Sequence, residues 1–420
     1  MALARFVHDV RAVEFASTTA LADGLLSVAA DEAAALLADP ALADVRLSWA
    51  SPGQAVRIVK VLDAVQPCAK PAGDGWVFPG LLGPARPQGR GRTHVLRGVA
   101  VVSAGYLPRA QEAVVDLSGP GAELSPLGTL HNLVVEFTPA PDAAWDRVYA
   151  ALRHGTLVLA RYLAEAALDV EPDEVDELPG PGDRSGTSGL PVVGAITNLQ
   201  TQGAFKDTFV YGRSLNASLP FLIDPNELDD GAVVSGQLGH PGLKNPTWMF
   251  QNHPVAAALR RRHGRDLHFG GVVLCPEPVD QEAKAMISAL AARLCATAGF
   301  DAVVLTKEGG GNADADVAMK MDELEALGLA AVGLFAEMAG TDGTAPPLVV
   351  PPERATLMVS TGNYDERLVL PAVERAFGGD RVDLVRSPAT AELQLPTAAV
   401  YCSLSPLGWG RLTCAEEVAA

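Results

Sequence analysis

The part of the chain after residue 190 contains the feature that most restricts its fold: short, wholly apolar segments alternate with amphipathic ones. The apolar segments read PVVGAITN, FGGVVLC, DAVVLTK, LAAVGLF, ATLMVST and, near the end, AAVYCSL. Strands this uniformly apolar are typical of a parallel sheet whose two faces are both covered by helices. We therefore predict a largely parallel, doubly wound α/β region over residues 191–420.

Two helices are predicted between these strands from their apolar periodicity. The first covers residues 280–298 and the second covers 316–327, and each is followed by a glycine in the position of a left-handed C-cap. The residues predicted to face the core are Met286, Leu290 and Leu294 in the first helix and Val317, Met321 and Leu324 in the second.

Residues 1–178 carry a different mixture, which we interpret as an α+β N-terminal region. Val-rich segments separated by Gly and Pro predict strands, among them VRLSWA, AVRIVKVLDAV, HVLRGVAVVSAG and HNLVVEF. Residues 143–167 instead repeat apolar side chains at helical spacing. The acidic segment 171–177 and the Pro/Gly/Ser-rich segment after it are too polar to bury much apolar surface. We therefore predict a linker at residues 179–190 between domains 1–178 and 191–420.

Charge and composition exclude several classes of function. Fifty acidic residues against thirty-two Lys and Arg give a formal net charge of −18, which repels nucleic acid on average. No segment reaches eighteen apolar residues and the N-terminus lacks the pattern of a secretory signal, so we expect no membrane span and a cytoplasmic location. The five cysteines are widely spaced without a CxxC pair, which favours reduced thiols and no zinc site.

Ligands of such sheets bind beyond the carboxyl ends of the strands, so the polar loops at those ends are candidate sites. The loop 306–316 follows a predicted strand and opens a helix. Its candidate substrate-binding residues are Gly310, Asn312 and Asp314, with Glu308 as a candidate catalytic acid or base. The same loop also fits an ordinary turn in which Asp314 caps the helix, and the sequence does not separate the two interpretations.

Three further loops contain candidate residues, each with a simpler alternative. The substrate-binding candidates are Gly362, Asn363 and Glu366 after the strand ATLMVST, and Gln200 and Gln202 after PVVGAITN. An ordinary solvated loop also explains the residues after ATLMVST. A turn whose polar groups are all hydrogen-bonded also explains those after PVVGAITN. The turn 233–246 holds His240, a candidate general base, although a lone loop histidine is more often exposed or merely hydrogen-bonded.

Ten separated segments in collinear order resemble the component B proprotein of glycine, sarcosine and betaine reductases, with D-proline reductase as a more distant relative. They include LQTQGAFKDTFVYG, LKNPTWMFQNHPV, TKEGGGNADAD and the ending LGWGRLTCAEE. The resemblance extends along most of the chain. Ordered matches of this kind are far more specific than any single motif.

The resemblance implies an activity that depends on self-processing. In the family the proprotein cuts itself at an Asn-Cys step, and the new N-terminal residue becomes a pyruvoyl group that forms a Schiff base with the substrate's amine. A partner subunit carrying selenocysteine or cysteine then attacks the α-carbon and releases the amine. The carboxymethyl group passes to a small carrier selenoprotein.

This chain departs from the family at that step, which here reads Gln237-Leu238. The residue at position 238 must supply a sulfur or oxygen for the acyl shift and later lose it by β-elimination. Leu238 has no heteroatom, and the segment from Leu238 to Asn245 contains no Ser, Thr or Cys. We therefore predict that the former processing site is inactive and that the chain lacks a pyruvoyl cofactor.

Three functions follow from these observations. In the first, which we favour, the chain is an oxidoreductase subunit. It binds a small amino-acid or betaine-like substrate and acts on its C–N bond with a thiol- or selenol-bearing partner subunit. The second is a stand-alone enzyme of specialised metabolism that uses His240 as acid or base, and the third is a non-catalytic scaffold. Retained strand-end loops are most simply explained by a ligand that still binds there.

Overall fold

The computed structural model describes residues 2–180, 186–201, 208–236, 238–355 and 357–410. Two predicted site residues, Gln202 and Gln237, lie outside the described residues.

The described chain is a mixed α/β fold, as predicted. Its strands before residue 180 are β1 (Leu3–Asp9), β2 (Ala12–Ala16), β3 (Ala20–Ala22), β4 (Leu25–Ala29), β5 (Leu42–Ala50), β6 (Val56–Val59), β7 (Val61–Val65), β8 (Cys68–Ala69), β9 (Gly91–Arg97), β10 (Val99–Ala104), β11 (Val114–Asp116), β12 (His131–Pro139) and β13 (Glu174–Leu178). The later strands are β14 (Val192–Gln200), β15 (Phe209–Val210), β16 (Arg213–Ser214), β17 (Phe221–Ile223), β18 (Val233–Val234), β19 (His268–Glu277), β20 (Ala302–Thr306), β21 (Ala330–Glu337), β22 (Leu357–Asn363), β23 (Arg367–Leu370), β24 (Arg375–Phe377), β25 (Arg381–Val382), β26 (Ser387–Pro388) and β27 (Leu393–Pro396). The α-helices are α1 (Ala30–Ala35), α2 (Trp145–Glu165), α3 (Asn226–Asp229), α4 (Thr247–Gln251), α5 (Pro254–Arg262), α6 (Gln281–Thr297) and α7 (Asn312–Ala326).

Two mixed four-stranded sheets organise the N-terminal region, in the orders β13-β1-β9-β8 and β5-β12-β10-β7. Helix α2 packs on strands of both sheets, and its Leu152, Leu159 and Leu163 are fully buried. The predicted strand AVRIVKVLDAV is two strands, because Lys60 has a left-handed φ of 52° that separates β6 from β7. The acidic segment before the predicted linker forms β13, which pairs antiparallel with β1.

A six-stranded sheet in the order β17-β19-β14-β20-β21-β22 forms the second half of the fold. All its strands are parallel except the edge strand β17, which pairs antiparallel with β19. Numbered along the chain, the parallel strands have the order 2-1-3-4-5. The sheet therefore reverses its direction of growth between β14 and β20, which is the position where ligands of doubly wound sheets bind.

Helices cover both faces of this sheet, as its apolar strands predict. On one face Ile196 and Val273 pack in a single cluster with side chains of α6 and α7. On the other face Leu199 and Val272 pack with Leu259 of α5 and with residues of the N-terminal region. The sheet is thus buried between α6 and α7 on one side and the remainder of the chain on the other.

Helix α6 agrees with the predicted bounds, but its predicted buried stripe is wrong. Met286 is 50% exposed, whereas Ile287, Ala291 and Cys295 are buried. The helix turns its small residues inward, which lets it lie close to the sheet and to α7. Helix α7 begins at Asn312, four residues before its predicted start, and its three predicted core residues are buried.

The last described part of the chain returns to the N-terminal region. Strand β24 pairs in parallel with β6, so hydrogen bonds cross the predicted domain division. The segment AAVYCSL was predicted as a strand and is instead a 3₁₀ turn at Thr397–Ala399 followed by further turns. Its backbone amides bond to other loops, with Cys402 N–H donating to the Pro241 carbonyl and Leu404 N–H donating to the Gly242 carbonyl. This segment therefore packs on the turn that follows Leu238.

Candidate functional site

The sheet brings several predicted loops to one edge. Because β14, β19, β20, β21 and β22 are parallel, their carboxyl ends lie side by side. Gln200 is the last residue of β14 and pairs with Glu277, the last residue of β19. The loop that starts after Thr306 lies on the opposite side of β14.

Glu308 lies at the point where the sheet reverses direction. Its Oε2 accepts hydrogen bonds from the Gln200 backbone N–H at 2.9 Å and from the Thr208 hydroxyl at 3.1 Å. Its other oxygen, Oε1, has no hydrogen-bond partner within the described ranges, and the side chain is fully buried. Burial raises the pKa of Glu308 to about 7, although the nearby Lys244 ammonium opposes the shift. Glu308 is therefore suited to accept or donate a proton near neutral pH.

A buried network beside Glu308 joins the N-terminal region to the site. The Lys244 ammonium donates to the Ser235 hydroxyl at 2.8 Å. Asp63 of β7 accepts from the backbone N–H of Thr247 at 3.0 Å and from the Thr247 hydroxyl at 2.7 Å. Burial lowers the pKa of Lys244 and raises that of Asp63, while each charge counteracts the shift of the other.

His240 lies in the turn that follows the former processing position. The His240 backbone N–H donates to Gln111 Oε1 at 2.9 Å, and the Leu238 carbonyl accepts from the Gln111 backbone N–H at 2.8 Å. The imidazole lies 6.2 Å from the Tyr364 ring, measured between centroids. Burial lowers the pKa of His240, and the positive charge of Lys307 lowers it further. The ring is therefore neutral at pH 7, the form in which histidine acts as a base.

The loop 306–316 holds an internal ion pair. Lys307 pairs with Asp314, and its ammonium also donates to the Gly309 carbonyl at 3.0 Å. The second oxygen of Asp314 accepts from the backbone N–H of Gly311 at 2.8 Å, which is the helix-capping contact of the alternative interpretation. Asn312 is exposed at the start of α7.

Gly310 sits where the strand-end loop meets the turn 241–243. A Cβ at this glycine would lie 2.9 Å from Leu243 Cδ1 and 2.6 Å from Met338 Cε. The side chain of Leu243 is fully buried in a small cluster that also contains Tyr364. The loops that contain His240, Gly310 and Tyr364 are thus in mutual contact.

The predicted residues of the loop after β22 mainly hold neighbouring loops. Asn363 donates to the Gly340 carbonyl at 2.9 Å and accepts from the Asp365 backbone N–H at 3.1 Å. The Glu366 carbonyl accepts from the backbone N–H of Thr397 at 2.8 Å. Gly362 has a φ of 122°, and a Cβ there would lie 2.7 Å from Leu404.

A cavity of about 380 Å³ lies between that loop and the turn after Leu238. It is lined by Gln111, Glu112, Pro241, Tyr364, Asp365, Leu384, Pro396, Ala398 and Ala399. The cavity therefore opens beside the residues that hold the backbone of Leu238 and His240 in place.

Sequence reasoning did not single out several charged residues that the fold brings to this edge. Asp63, Lys244 and Glu277 are buried there, and Lys307 was considered only as part of its loop. The available signal was a lone charge inside or directly after an apolar strand, as in VLDAV and VVLCPE. Such a residue is rarely buried without a partner or a function.

His253, the N-cap residue of α5, has a structural role. It is hydrogen-bonded to the Thr197 hydroxyl at 3.0 Å inside the core, and burial lowers its pKa to about 3. Within the described ranges no group of three or more His, Cys, Asp or Glu side chains is arranged to hold a metal ion. Among the described helices, none combines the length and the apolar character needed to cross a membrane.

The fold and the strand-end groups define a doubly wound α/β protein with a polar site at the reversal point of its sheet. Residues 1–414 match the family described as glycine/sarcosine/betaine reductase component B subunits. The chain therefore belongs to this component B family.

Individual relatives agree with that assignment. The chain is 34% identical over 419 residues to "Glycine reductase complex component B subunits alpha and beta" of Peptoclostridium acidaminophilum, which covers 97% of each chain. The same organism has a "Sarcosine reductase complex component B subunit alpha" at 33% identity, covering 89% of this chain and 87% of that one. Its "Betaine reductase complex component B subunit alpha" is 30% identical, covering 97% and 98%. No solved structure matches the chain.

Proposed function

We propose that this chain is an unprocessed component B-like subunit. It binds a small amino- or ammonium-acid at the strand-end edge and takes part in breaking or forming its C–N bond with a thiol- or selenol-bearing partner subunit. The relatives named for glycine, sarcosine and betaine reductase complexes support this class of substrate and a multi-subunit assembly.

The observation that carries the proposal is the leucine at position 238. Its side chain is a buried hydrocarbon that packs in the core of the N-terminal region, and it contains no atom able to attack a carbonyl or to leave by elimination. A pyruvoyl group would have to be made from this residue, so the residues present do not fit that cofactor. The proposed reaction therefore relies on side chains of the intact chain, with Glu308 and His240 as the proton-transferring groups.

The intact mass of the purified protein tests the first part of the proposal. We expect a single full-length chain that does not react with a hydroxylamine-type carbonyl probe. The double variant Gln237→Asn/Leu238→Cys restores the residues of the processing step, and we expect partial cleavage before residue 238 in this variant. Two fragments in wild-type protein, or a carbonyl-reactive fragment beginning at residue 238, would contradict the proposal.

A stand-alone enzyme is the second candidate, and one observation favours it. Two groups with pKa values shifted by burial, Glu308 and His240, lie within the same edge of the fold, as they do in many active sites. Turnover of a small amine by the purified chain without any partner would favour this candidate. Turnover only after addition of a co-purifying thiol protein would favour the component B-like subunit.

A further inference from the structure

The edge of the sheet that faces α6 and α7 contains buried acceptor oxygens for which the described residues supply no donor. Glu277 is fully buried, and neither of its carboxyl oxygens has a hydrogen-bond partner among the described residues. Asn198, which lies opposite Cys275 on the neighbouring strand, is also fully buried. Its amide donates to the Thr306 carbonyl at 3.0 Å, but its Oδ1 has no partner in the part of the chain that the structure describes. A buried acceptor that lacks a donor destabilises the fold, so these three oxygens indicate a missing hydrogen-bond donor.

The two side chains point to the same face of the sheet. Gln200 pairs with Glu277 and Asn198 pairs with Cys275, and paired residues of parallel strands project to the same side. Cys275 belongs to the cluster under α6 and α7, so Glu277, two residues further along β19, lies on that side as well. Glu308 adds another unpaired oxygen from the far side of β14.

The buried charged groups around Glu277 include one more carboxyl group than ammonium groups, so one additional cation would balance them. Buried carboxyl groups at this edge belong to Asp63, Glu277, Glu308, Asp314 and Asp316. Buried ammonium groups belong to Lys244, Lys284, Lys307 and Lys320. Among the described residues the edge therefore has five carboxyl groups and four ammonium groups, an excess of one carboxyl group. The segment 202–207, outside the described residues, contains one lysine and one aspartate and adds no formal charge.

Most of these charges are already paired with one another. Lys284 pairs with Asp316, and the Lys320 ammonium lies 3.7 Å from the same carboxylate and donates to the Asp316 carbonyl at 3.3 Å. Glu277 makes no ion pair in the described chain. Burial and the neighbouring Asp316 carboxylate raise the pKa of Glu277 well above its usual range. Both effects favour the protonated form of Glu277 in the free protein.

We propose that Glu277 and Asn198 form the subsite for the ammonium group of a primary or secondary amine, and that binding of this group displaces the proton. This inference rests on the proposed function and narrows its substrate class. These groups are hydrogen-bond acceptors, so the ligand must carry hydrogen-bond donors, and the excess carboxyl group favours donors on a cation. A quaternary ammonium group carries none and leaves Glu277 and Asn198 unsatisfied.

Calorimetric titration of the full chain tests this subsite with three probes: methylammonium, glycine and betaine. We expect methylammonium and glycine to bind and to release a proton at pH 6, detected as a dependence of the binding heat on the ionisation enthalpy of the buffer. Because the ammonium group competes with a proton on Glu277, the affinity for methylammonium and glycine should rise with pH. The rise should be up to tenfold per pH unit below the pKa of Glu277. Betaine should bind at least tenfold more weakly than glycine.

The variant Glu277→Gln preserves the shape of the neutral side chain and should fold normally while losing at least tenfold in affinity for methylammonium. Glu282→Gln, an exposed glutamate on α6, is the matched control and should bind as wild type does. Methylammonium binding by wild-type protein without proton release at pH 6 would overturn the inference, and this measurement does not depend on the folding of any variant.

The outcomes also separate this inference from the proposed function. If glycine binds equally well to wild type and Glu277→Gln, the subsite is wrong and the proposed function stands. If methylammonium binds through Glu277 but no amino acid binds, the subsite stands and the proposed function is wrong. If neither methylammonium nor glycine binds, the proposed subsite is wrong.

Discussion

Glu308 is the predicted site residue whose surroundings differ most from those of an ordinary surface glutamate. One oxygen accepts hydrogen bonds from Gln200 and Thr208, and the other has no partner among the residues that the structure describes. The group is therefore oriented by the fold while it keeps one oxygen available for a ligand or a proton. The sequence singled out Glu308 because its loop follows a predicted strand and opens a helix, but no local pattern indicated that the side chain is buried.

The pH dependence of stability should report on Glu308. Its pKa of about 7 lies above its ordinary value of 4.5, so the unfolded chain gives up this proton at lower pH than the folded chain does. The contribution of Glu308 to stability is therefore greatest below pH 4.5 and is lost as pH rises through 7. Between pH 5 and pH 8, wild type should lose about 3 kcal/mol of unfolding free energy more than Glu308→Gln does.

Chemical denaturation at the two pH values measures this difference. Glu282→Gln changes an exposed glutamate and should follow the wild-type dependence. Equal pH dependence in wild type and Glu308→Gln would show that Glu308 is ionised throughout this range.

Among the secondary-structure elements, β14 and β20 do most to position the site. Both strands were predicted from their apolar segments, and the structure confirms them. A strand that is buried on both faces consists of a nearly continuous apolar run, which is visible in its own sequence. Other elements depend on distant partners. AAVYCSL has the composition of a strand, yet its amides bond to the turn at Pro241 and Gly242, and no local pattern indicates that choice.

For the candidate functional site, too, local sequence patterns predicted some residues and missed those that depend on distant contacts. The loops that contain Glu308, Asn363 and His240 were predicted from their places after strands or in irregular turns. Asp63 bonds to Thr247, 184 residues later, and the partner of a lone charge in an apolar segment cannot be read from its neighbours. Glu277 was missed because nothing in the segment VVLCPE indicates that its last residue is buried.

The turn after β20 requires glycine at position 309. Gly309 has a φ of 69°, and a Cβ there would lie 2.8 Å from the Gln200 Oε1 atom. Gly299 after α6 has a similar φ of 75° with nothing within 4 Å. Gly309→Ala and Gly299→Ala should each lose about 1–2 kcal/mol of stability from the left-handed backbone, but only Gly309→Ala should also weaken ligand binding.

Thermal denaturation measures the stability of both variants, and calorimetric titration with glycine measures their ligand affinity. Equal ligand affinity in the two variants would mean that the side chain of Gln200 does not help to shape the site.

On the scale of the whole molecule, Arg57 connects the N-terminal region to the last third of the chain. Its guanidinium forms a bidentate ion pair with Asp116, at 2.6 and 3.0 Å, and donates to the carbonyls of Pro371, Ala389 and Ala391. Both partners of the ion pair are fully buried. The predicted division into two domains remains a prediction, but these contacts make the stability of the two parts interdependent.

Arg57→Gln should lose about 3–5 kcal/mol of unfolding free energy, since it leaves the Asp116 carboxylate buried without a counter-charge. Arg97→Gln is the control, because Arg97 also pairs with two carboxylates but is half exposed, and its loss should stay within about 1 kcal/mol. Urea denaturation followed by circular dichroism measures both values. A loss below 1 kcal/mol for Arg57→Gln would show that water or rearranged side chains replace its contacts.

The contacts of Arg57 also bear on how the protein is made. A ribosome delivers the chain from its N-terminus, so β6 emerges more than three hundred residues before Ala389 and Ala391. Until Ala389 and Ala391 have been synthesised, the Arg57 guanidinium lacks two of its buried hydrogen-bond acceptors and is expected to stay hydrated. The pairing of β6 with β24 is therefore expected to stay incomplete during most of translation, and chaperone demand should be greatest in that interval.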